Sequence, residues 1–178
     1  PNQPLDMRMD QTLGITASDL LTVLSAKQLA KLFHEYGGEV QAKKIAQAID
    51  QYRGKSRENK IETVGQLVEI ISQIKNQTSH LHPATKTFQA LRIAVNDELI
   101  SIQLALPQAI NILAPESRIV TIAFHQGKDV IIKQQFKDWE KSNQGKILTK
   151  KPETPTKKEI INNPAARSAK LRVLEKQP

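Results

Sequence analysis

The chain has no cysteine, which removes disulfides, thiolate zinc sites and cysteine nucleophiles from consideration. Aromatic residues make up only 4% of its 178 residues, too few for a broad base-stacking platform. No stretch approaches the roughly 20 apolar residues that a membrane-spanning helix requires. The opening Pro1-Asn2-Gln3-Pro4 lacks the basic-then-apolar pattern of a signal peptide, so a soluble, cytoplasmic protein without membrane attachment is expected. Four histidines, at positions 34, 80, 82 and 125, are the strong nitrogen ligands that remain. His80 and His82 have ligand-like spacing, but no Cys or carboxylate cluster stands near them, and no metal site is expected. Internal repeats and low-complexity segments are also missing.

What is present is ordinary globular composition, with 39% hydrophobic and 25% charged residues. The formal net charge is +8, and its distribution tells more than its size. Residues 1 to 100 carry 12 Lys/Arg against 11 Asp/Glu, whereas residues 101 to 178 carry 14 against 7. An excess confined to one half suits a polyanionic partner, because neutralising phosphates releases their counterions. A lysine-rich surface kept for solubility accounts for the same charge.

Helix signals begin at Thr16. Thr16 with Asp19, Ser25 with Gln28 and Thr63 with Gln66 are spaced as N-cap and third-position partner, each before an apolar run. The second helix presents Leu29, Leu32, Phe33 and Tyr36, and Gly37-Gly38 ends it. A third, about 39 to 53, is expected to bury Val40, Ile45 and Ile49, and a fourth carries Leu67, Val68, Ile70, Ile71 and Ile74. The charged stretch Lys55 to Lys60 connects them. Residues 13–79 thus form a helical unit, preceded by a 1–12 loop and followed by a third segment, 80–178.

That third segment opens with His82-Pro83-Ala84-Thr85-Lys86-Thr87-Phe88-Gln89-Ala90-Leu91-Arg92-Ile93-Ala94-Val95-Asn96-Asp97-Glu98-Leu99. One long helix is expected, with Phe88, Leu91, Val95, Leu99 and Ile102 as its buried stripe. Thr85, Gln89, Arg92 and Asn96 make a second, polar stripe at the same spacing, until Pro107 breaks the helix and restarts it. Arg118 to His125 reads as a β-branched strand of the kind buried on both faces in a parallel sheet, with His125 at its carboxyl end. Ligands collect beyond that end in open α/β sheets, although a histidine merely capping the strand fits equally. A helix over about 128 to 140 follows, with Val130, Ile131, Phe136 and Trp139 as its apolar residues. Thr156 and Glu159 open a short helix near 157 to 161. In the last strand, about 169 to 174, Lys170 and Arg172 alternate with Leu171 and Val173, which predicts a wet, basic face.

Three segments carry a resemblance. Pro4-Leu5-Asp6-Met7-Arg8-Met9-Asp10, the run 82 to 99, and Ile147-Leu-Thr-Lys-Lys-Pro152 with Asn163-Pro164 and Arg167-Ser-Ala-Lys-Leu-Arg172 resemble, in order and rough spacing, the bacterial MraW/RsmH family. These are methyltransferases of the N4 amine of a cytosine in small-subunit (16S) ribosomal RNA. The resemblance implies an α/β fold: the C-terminal half of a Rossmann-like class I methyltransferase domain with an inserted helical bundle, this chain being mainly helical. It also implies S-adenosyl-L-methionine as cofactor, and ribosomal RNA or the small ribosomal subunit as partner, and it allows a homodimer. Class I enzymes hold the donor with a glycine-rich turn after the first strand. The seven glycines here, at 14, 37, 38, 54, 65, 127 and 145, contain none. The cofactor-binding residues are therefore expected upstream of Pro1, and the chain is expected to be a fragment that is inactive by itself.

Methyl transfer to a cytosine amine needs that amine held in line and its hydrogens accepted by nearby oxygens or nitrogens. Carboxylates suit this, so Asp6 and Asp10 are the first catalytic candidates and His125 the next. A salt-bridged Asp6-Arg8-Asp10 loop without a catalytic part is the competing reading. Arg8, Lys86, Arg92, Asn96, Lys150, Lys151, Arg167, Lys170 and Arg172, all within matching motifs, are the candidates for RNA contact. One segment departs from the family pattern: where relatives typically read Ser-Phe-His-Ser-Leu-Glu-Asp-Arg, this chain has Ala123-Phe124-His125-Gln126-Gly127-Lys128-Asp129-Val130. Glu116-Ser117 also replaces a usual glycine pair. A catalytically inactive RNA-binding remnant of the family is the alternative.

Overall fold

Capping chemistry sets the helix starts. Thr16, Ser25 and Thr63 each accept from the amide three residues on, and Asp19, Gln28 and Gln66 reach back to the cap amides, so all three expected capping boxes form. At the fourth, Thr156 accepts from the Glu159 amide. The computed structural model describes residues 2–54, 59–75 and 82–178. His80 and most of the Lys55–Lys60 connector lie outside them. The chain divides into two compact units, Pro1–Asp97 and Glu98–Pro178.

The first unit contains α1 (Ala17–Val23), α2 (Ala26–Gly37), α3 (Ala42–Arg53), α4 (Val64–Ser72) and α5 (Thr85–Val95). Their apolar faces meet in one core that includes Leu21, Leu29, Phe33, Ile45, Ile49, Leu67, Ile71 and Leu91. Leu5, from the N-terminal loop, is buried in the same core. The helix expected from residue 39 begins at Ala42, and Val40 is 87% exposed instead of buried. The αL residue Gly38 ends α2, which turns the chain and carries Val40 outward before α3 starts.

Arg53 is fully buried. Its guanidinium donates to the carbonyls of Leu21, Thr22 and Leu24 and pairs with Asp50 at 2.5 Å. Those carbonyls end α1 and have no partner within their own helix, so a cation there satisfies orphan acceptors and offsets part of its own desolvation.

The long helix expected from the 82 to 99 run is shorter than its pattern suggests. It stops at Val95; Asp97 takes a left-handed φ of 46°, and a separate helix, α6 (Glu98–Ile112), follows. The expected five-residue stripe is thus cut: Leu91 and Val95 are buried in the first unit, while Leu99 and Ile102 belong to the second. Pro107 does not break α6. Losing one amide is tolerated there because Leu106 and Ile110 on either side are buried in the second core.

The second unit adds β1 (Arg118–Ala123), α7 (Gln126–Lys141), β2 (Gly145–Ile147), α8 (Lys157–Asn162), a 3-10 turn (Pro164–Ser168) and β3 (Lys170–Lys176). The sheet order is β1-β3-β2 with both pairings antiparallel, Val120 opposite Val173 and Ile147 opposite Leu174. The doubly buried parallel strand expected at 118 to 125 is therefore corrected. α6 and α7 pack with the sheet through Ile119 and Ala123, whereas Val120 and Ile122 are each 58% exposed. The wet basic face expected of β3 is also corrected. Arg172 and Leu174 share the buried side, because Arg172 meets a carboxylate there. Phe136 and Trp139, with ring centroids 5.9 Å apart, complete that core.

One close approach governs the first unit. A Cβ placed on Gly37 would lie 2.3 Å from the Lys86 carbonyl oxygen, so the absence of a side chain lets α5 rest against the end of α2. Gly37→Ala must push the two backbones apart. It is expected to lower the stability of this unit by roughly 1–3 kcal/mol, read as an earlier urea transition in helical circular dichroism. An unchanged midpoint would show that the approach is not required.

Candidate active-site loop and basic residues

Residues 3 to 6 are held on two sides. Leu5 donates to the Glu62 carbonyl at 2.8 Å and Val64 to that of Gln3 at 3.0 Å, while Ala17 and Ser18 at the start of α1 donate to Asp6 and Leu5. The loop then turns sharply at Met7, whose φ of 68° lies in the left-handed region. That is a costly conformation for a residue with a side chain. Asn96, at the end of α5, spans the turn: its Oδ1 accepts from the Met9 amide at 2.7 Å and its Nδ2 donates to the Met7 carbonyl at 2.9 Å. Nδ2 also donates to the Arg92 carbonyl at 2.8 Å. One side chain thus closes α5 and fixes the loop.

Within the loop, Arg8 grips Asp6 through two nitrogens, Nε to Oδ1 at 2.7 Å and Nη2 to Oδ2 at 2.9 Å. Its Nη1 donates to the Leu13 carbonyl at 2.7 Å. The Arg8 side chain, and secondarily its amide, hold the Asp6 carboxyl down at about 2. Asp10 is exposed, and its Oδ1 accepts from the Thr12 amide at 2.9 Å and the Thr12 hydroxyl at 2.7 Å, which also lower its pKa. Asp6 is a weak proton acceptor in this setting, with both oxygens committed to Arg8. Asp10 keeps one carboxylate oxygen outside the Thr12 bonds.

His125, half-buried, stands as the N-cap residue of α7 without capping it through its side chain. Its ring lies over Gly127, where a Cβ would come within 3.1 Å of Cε1. Asp129, one turn into α7, was absent from the sequence-based candidates and is buried. Its carboxylate takes Arg172 Nε at 2.6 Å and Lys170 Nζ at 3.3 Å. Burial raises its pKa, but the two cations outweigh this and hold it below the usual carboxylate range. Arg172 therefore serves a buried ion pair, of the kind whose loss of one partner leaves an uncompensated charge. Lys170 additionally donates to the Gln126 side chain at 2.6 Å.

The remaining candidates are dispersed. Lys86 donates to the Gly38 carbonyl at 3.0 Å, and Arg92 is half-buried on α5. Lys150, Lys151 and Arg167 are exposed, the last bonded to the Pro164 carbonyl at 3.3 Å. Asp6, Arg8, Asp10 and Asn96 are brought together in the first unit, and His125, Lys170 and Arg172 belong to the second.

A model of the MraW methylase family matches residues 1–177. The chain belongs to that family. Curated relatives called "Ribosomal RNA small subunit methyltransferase H" include one from Sulfurihydrogenibium azorense, 47% identical over 96% of this chain and 58% of its own length. The protein of that name from Coprothermobacter proteolyticus is 42% identical over 97% of this chain and 57% of its own length. That from Leptospira borgpetersenii is 43% identical over 98% and 55%. The chain thus spans somewhat more than half the length of the curated relatives it matches. In segment 126–128 of this family member, Gln126 bonds to Lys170, and Lys128 pairs with the buried Glu98 at 2.6 Å.

Two outcomes follow for the loop. With the folded Asp6 carboxyl at about 2 against an ordinary 3.8, the Asp6–Arg8 pair stabilises the loop above about pH 4 and is lost as pH falls towards 2. Carboxyl carbon NMR should place the Asp6 midpoint near 2 and, in Arg8→Met, closer to 3.8. Asn96→Ala leaves the Met7 carbonyl and Met9 amide without their partner, a change of about 1–3 kcal/mol locally. The Met9 amide should then exchange with solvent roughly tenfold faster or more; equal exchange in both proteins would remove Asn96 from this role.

Proposed function

We propose that the chain is the C-terminal portion of an S-adenosylmethionine-dependent methyltransferase acting on the N4 amine of a cytosine in small-subunit (16S) ribosomal RNA. Membership of the MraW methylase family across residues 1–177 carries this reading, together with the names of its curated relatives. Among the described residues, the one strand-to-helix turn that carries a glycine does not fit a donor cradle. Gly127 is the glycine that follows a strand and opens a helix, and the space its missing Cβ leaves is filled by the His125 ring. In this reading the donor is held by residues other than these, and transfer requires them.

The residues present act on the substrate. Asp10 accepts a hydrogen bond from the cytosine amine and takes its proton, and Arg8 and Asn96 hold the loop that carries it. Asp6, committed to Arg8, is a positioning residue. His125 is a second acceptor or a surface against which the extruded base rests. Lys86, Arg92, Lys150, Lys151 and Arg167 meet phosphates, Lys170 steadies the strand end, and Arg172 acts through its pair with Asp129. The altered segment Gln126-Gly127-Lys128 favours a second reading, a non-catalytic RNA-binding remnant.

The chain, supplied with the portion of the S. azorense relative that it does not cover, is incubated with unmethylated small subunits and labelled donor, and the RNA is digested to nucleosides. N4-methylcytidine is expected with the combination and none with the chain alone. Asp10→Ala should lower the rate by about 10²-fold or more. Label in another nucleoside overturns the cytosine assignment, and RNA binding with no transfer by the combination selects the remnant.

A further inference from the structure

A groove of about 840 Å³ runs between α2 and the first turn of α3. Lys27, Lys31, Lys43 and Lys44 rim it, all exposed, and no carboxylate lines it. The nearest opposite charge on α2 is Glu35, 3.9 Å from Lys31 with both side chains exposed, an ion pair of little strength. Residues 1 to 100 as a whole are nearly neutral, with 12 basic against 11 acidic residues, so this concentration is local.

Two local rules are broken at this groove. Lys27 and Lys31 stand four residues apart on one helix face, where like charges repel. Lys43 and Lys44 occupy the first turn of α3, which has no acidic residue and whose N-cap Gln41 makes no side-chain cap; the buried Glu39 carboxylate just before it accepts from the Gln41 amide at 3.0 Å and is paired with Lys75, which leaves two cations at the positive end of the helix dipole. Solubility requires neither arrangement. Both are offset when an anion binds, because the uncapped amides and the four ammonium groups then share it. Val40, 87% exposed at the groove, offers an apolar surface for a ribose or base beside the phosphates.

We propose that this groove docks the phosphate backbone of RNA, extending substrate contact to the α2–α3 face. The proposal rests on the reading of ribosomal RNA as substrate. It is tested with the full chain and an end-labelled single-stranded RNA of mixed sequence, by fluorescence anisotropy over a series of salt concentrations. K27Q/K31Q/K43Q/K44Q should bind at least about tenfold more weakly, with the slope of log affinity against log salt reduced by about 3, since each lost phosphate contact removes about 0.7. The control K133Q/K137Q/K141Q/K157Q removes the same charge from exposed positions of α7 and α8 and should change little. Thermal unfolding of both should match the parent, and K43Q/K44Q supplies a milder variant showing about half the effect.

Equal weakening in the groove and control variants overturns the groove in favour of bulk charge. Undiminished binding by K27Q/K31Q/K43Q/K44Q overturns it while leaving the RNA substrate in place. A parent chain that binds no RNA overturns both the groove and the reading beneath it. Displacement of the RNA by polyaspartate at equal charge concentration points to an acidic protein and also overturns the proposal.

Discussion

The close approach of α5 to α2 at Gly37 is the constraint on which the first unit depends. Because no Cβ intervenes between Gly37 and the Lys86 carbonyl, α5 lies deep enough to bury Ala90, Leu91 and Ile93. Its depth fixes the position of its last turn, and that turn carries Asn96. Asn96 in turn fixes the left-handed turn at Met7, and with it the placement of Asp6, Arg8 and Asp10. A helix–helix packing distance thereby sets the geometry of a loop nearly ninety positions away in sequence. The polar stripe of α5 owes part of its character to this task.

The two buried arginines illustrate how the chain uses charge internally. Arg53 satisfies the carbonyls that end α1, so the end of one helix is closed by the last residue of another. Arg172 meets Asp129 from β3 to α7 and joins sheet to helix in the second unit. Each spends a full charge on geometry, and a hydrophobic residue could not satisfy the same acceptors. The exposed lysines of α2 and α3 do the reverse: they crowd like charges where local helix energetics oppose them.

Much of the fold was legible because its signals are local. Thr16, Ser25 and Thr63 with their third-position partners marked helix starts correctly, and Gly37-Gly38 marked a helix end. The Asp6–Arg8 pair was legible because the two lie two positions apart, whereas Asp10 bonds to Thr12 and does not complete the three-residue salt bridge. The failures share a cause. Val40 fits an apolar helix pattern, yet the αL turn at Gly38 carries it outside the helix. Phe88 to Ile102 keeps a helical period through a break at Asp97 that periodicity cannot register. Arg172 alternates as a surface residue should, but its carboxylate partner lies 43 positions away.

The sequence by itself determined the family and the capped starts of α1, α2 and α4, because each rests on residues that are neighbours in the chain. Tertiary structure alone decided that Asn96 latches that loop, that Asp129 exists as a partner for Arg172, that β1 and β3 run antiparallel, and that four lysines from two helices rim one groove. The physical reason is range. Capping, turn chemistry and periodicity act over three or four residues, whereas packing, ion pairing and surface charge depend on which distant residues the core brings together.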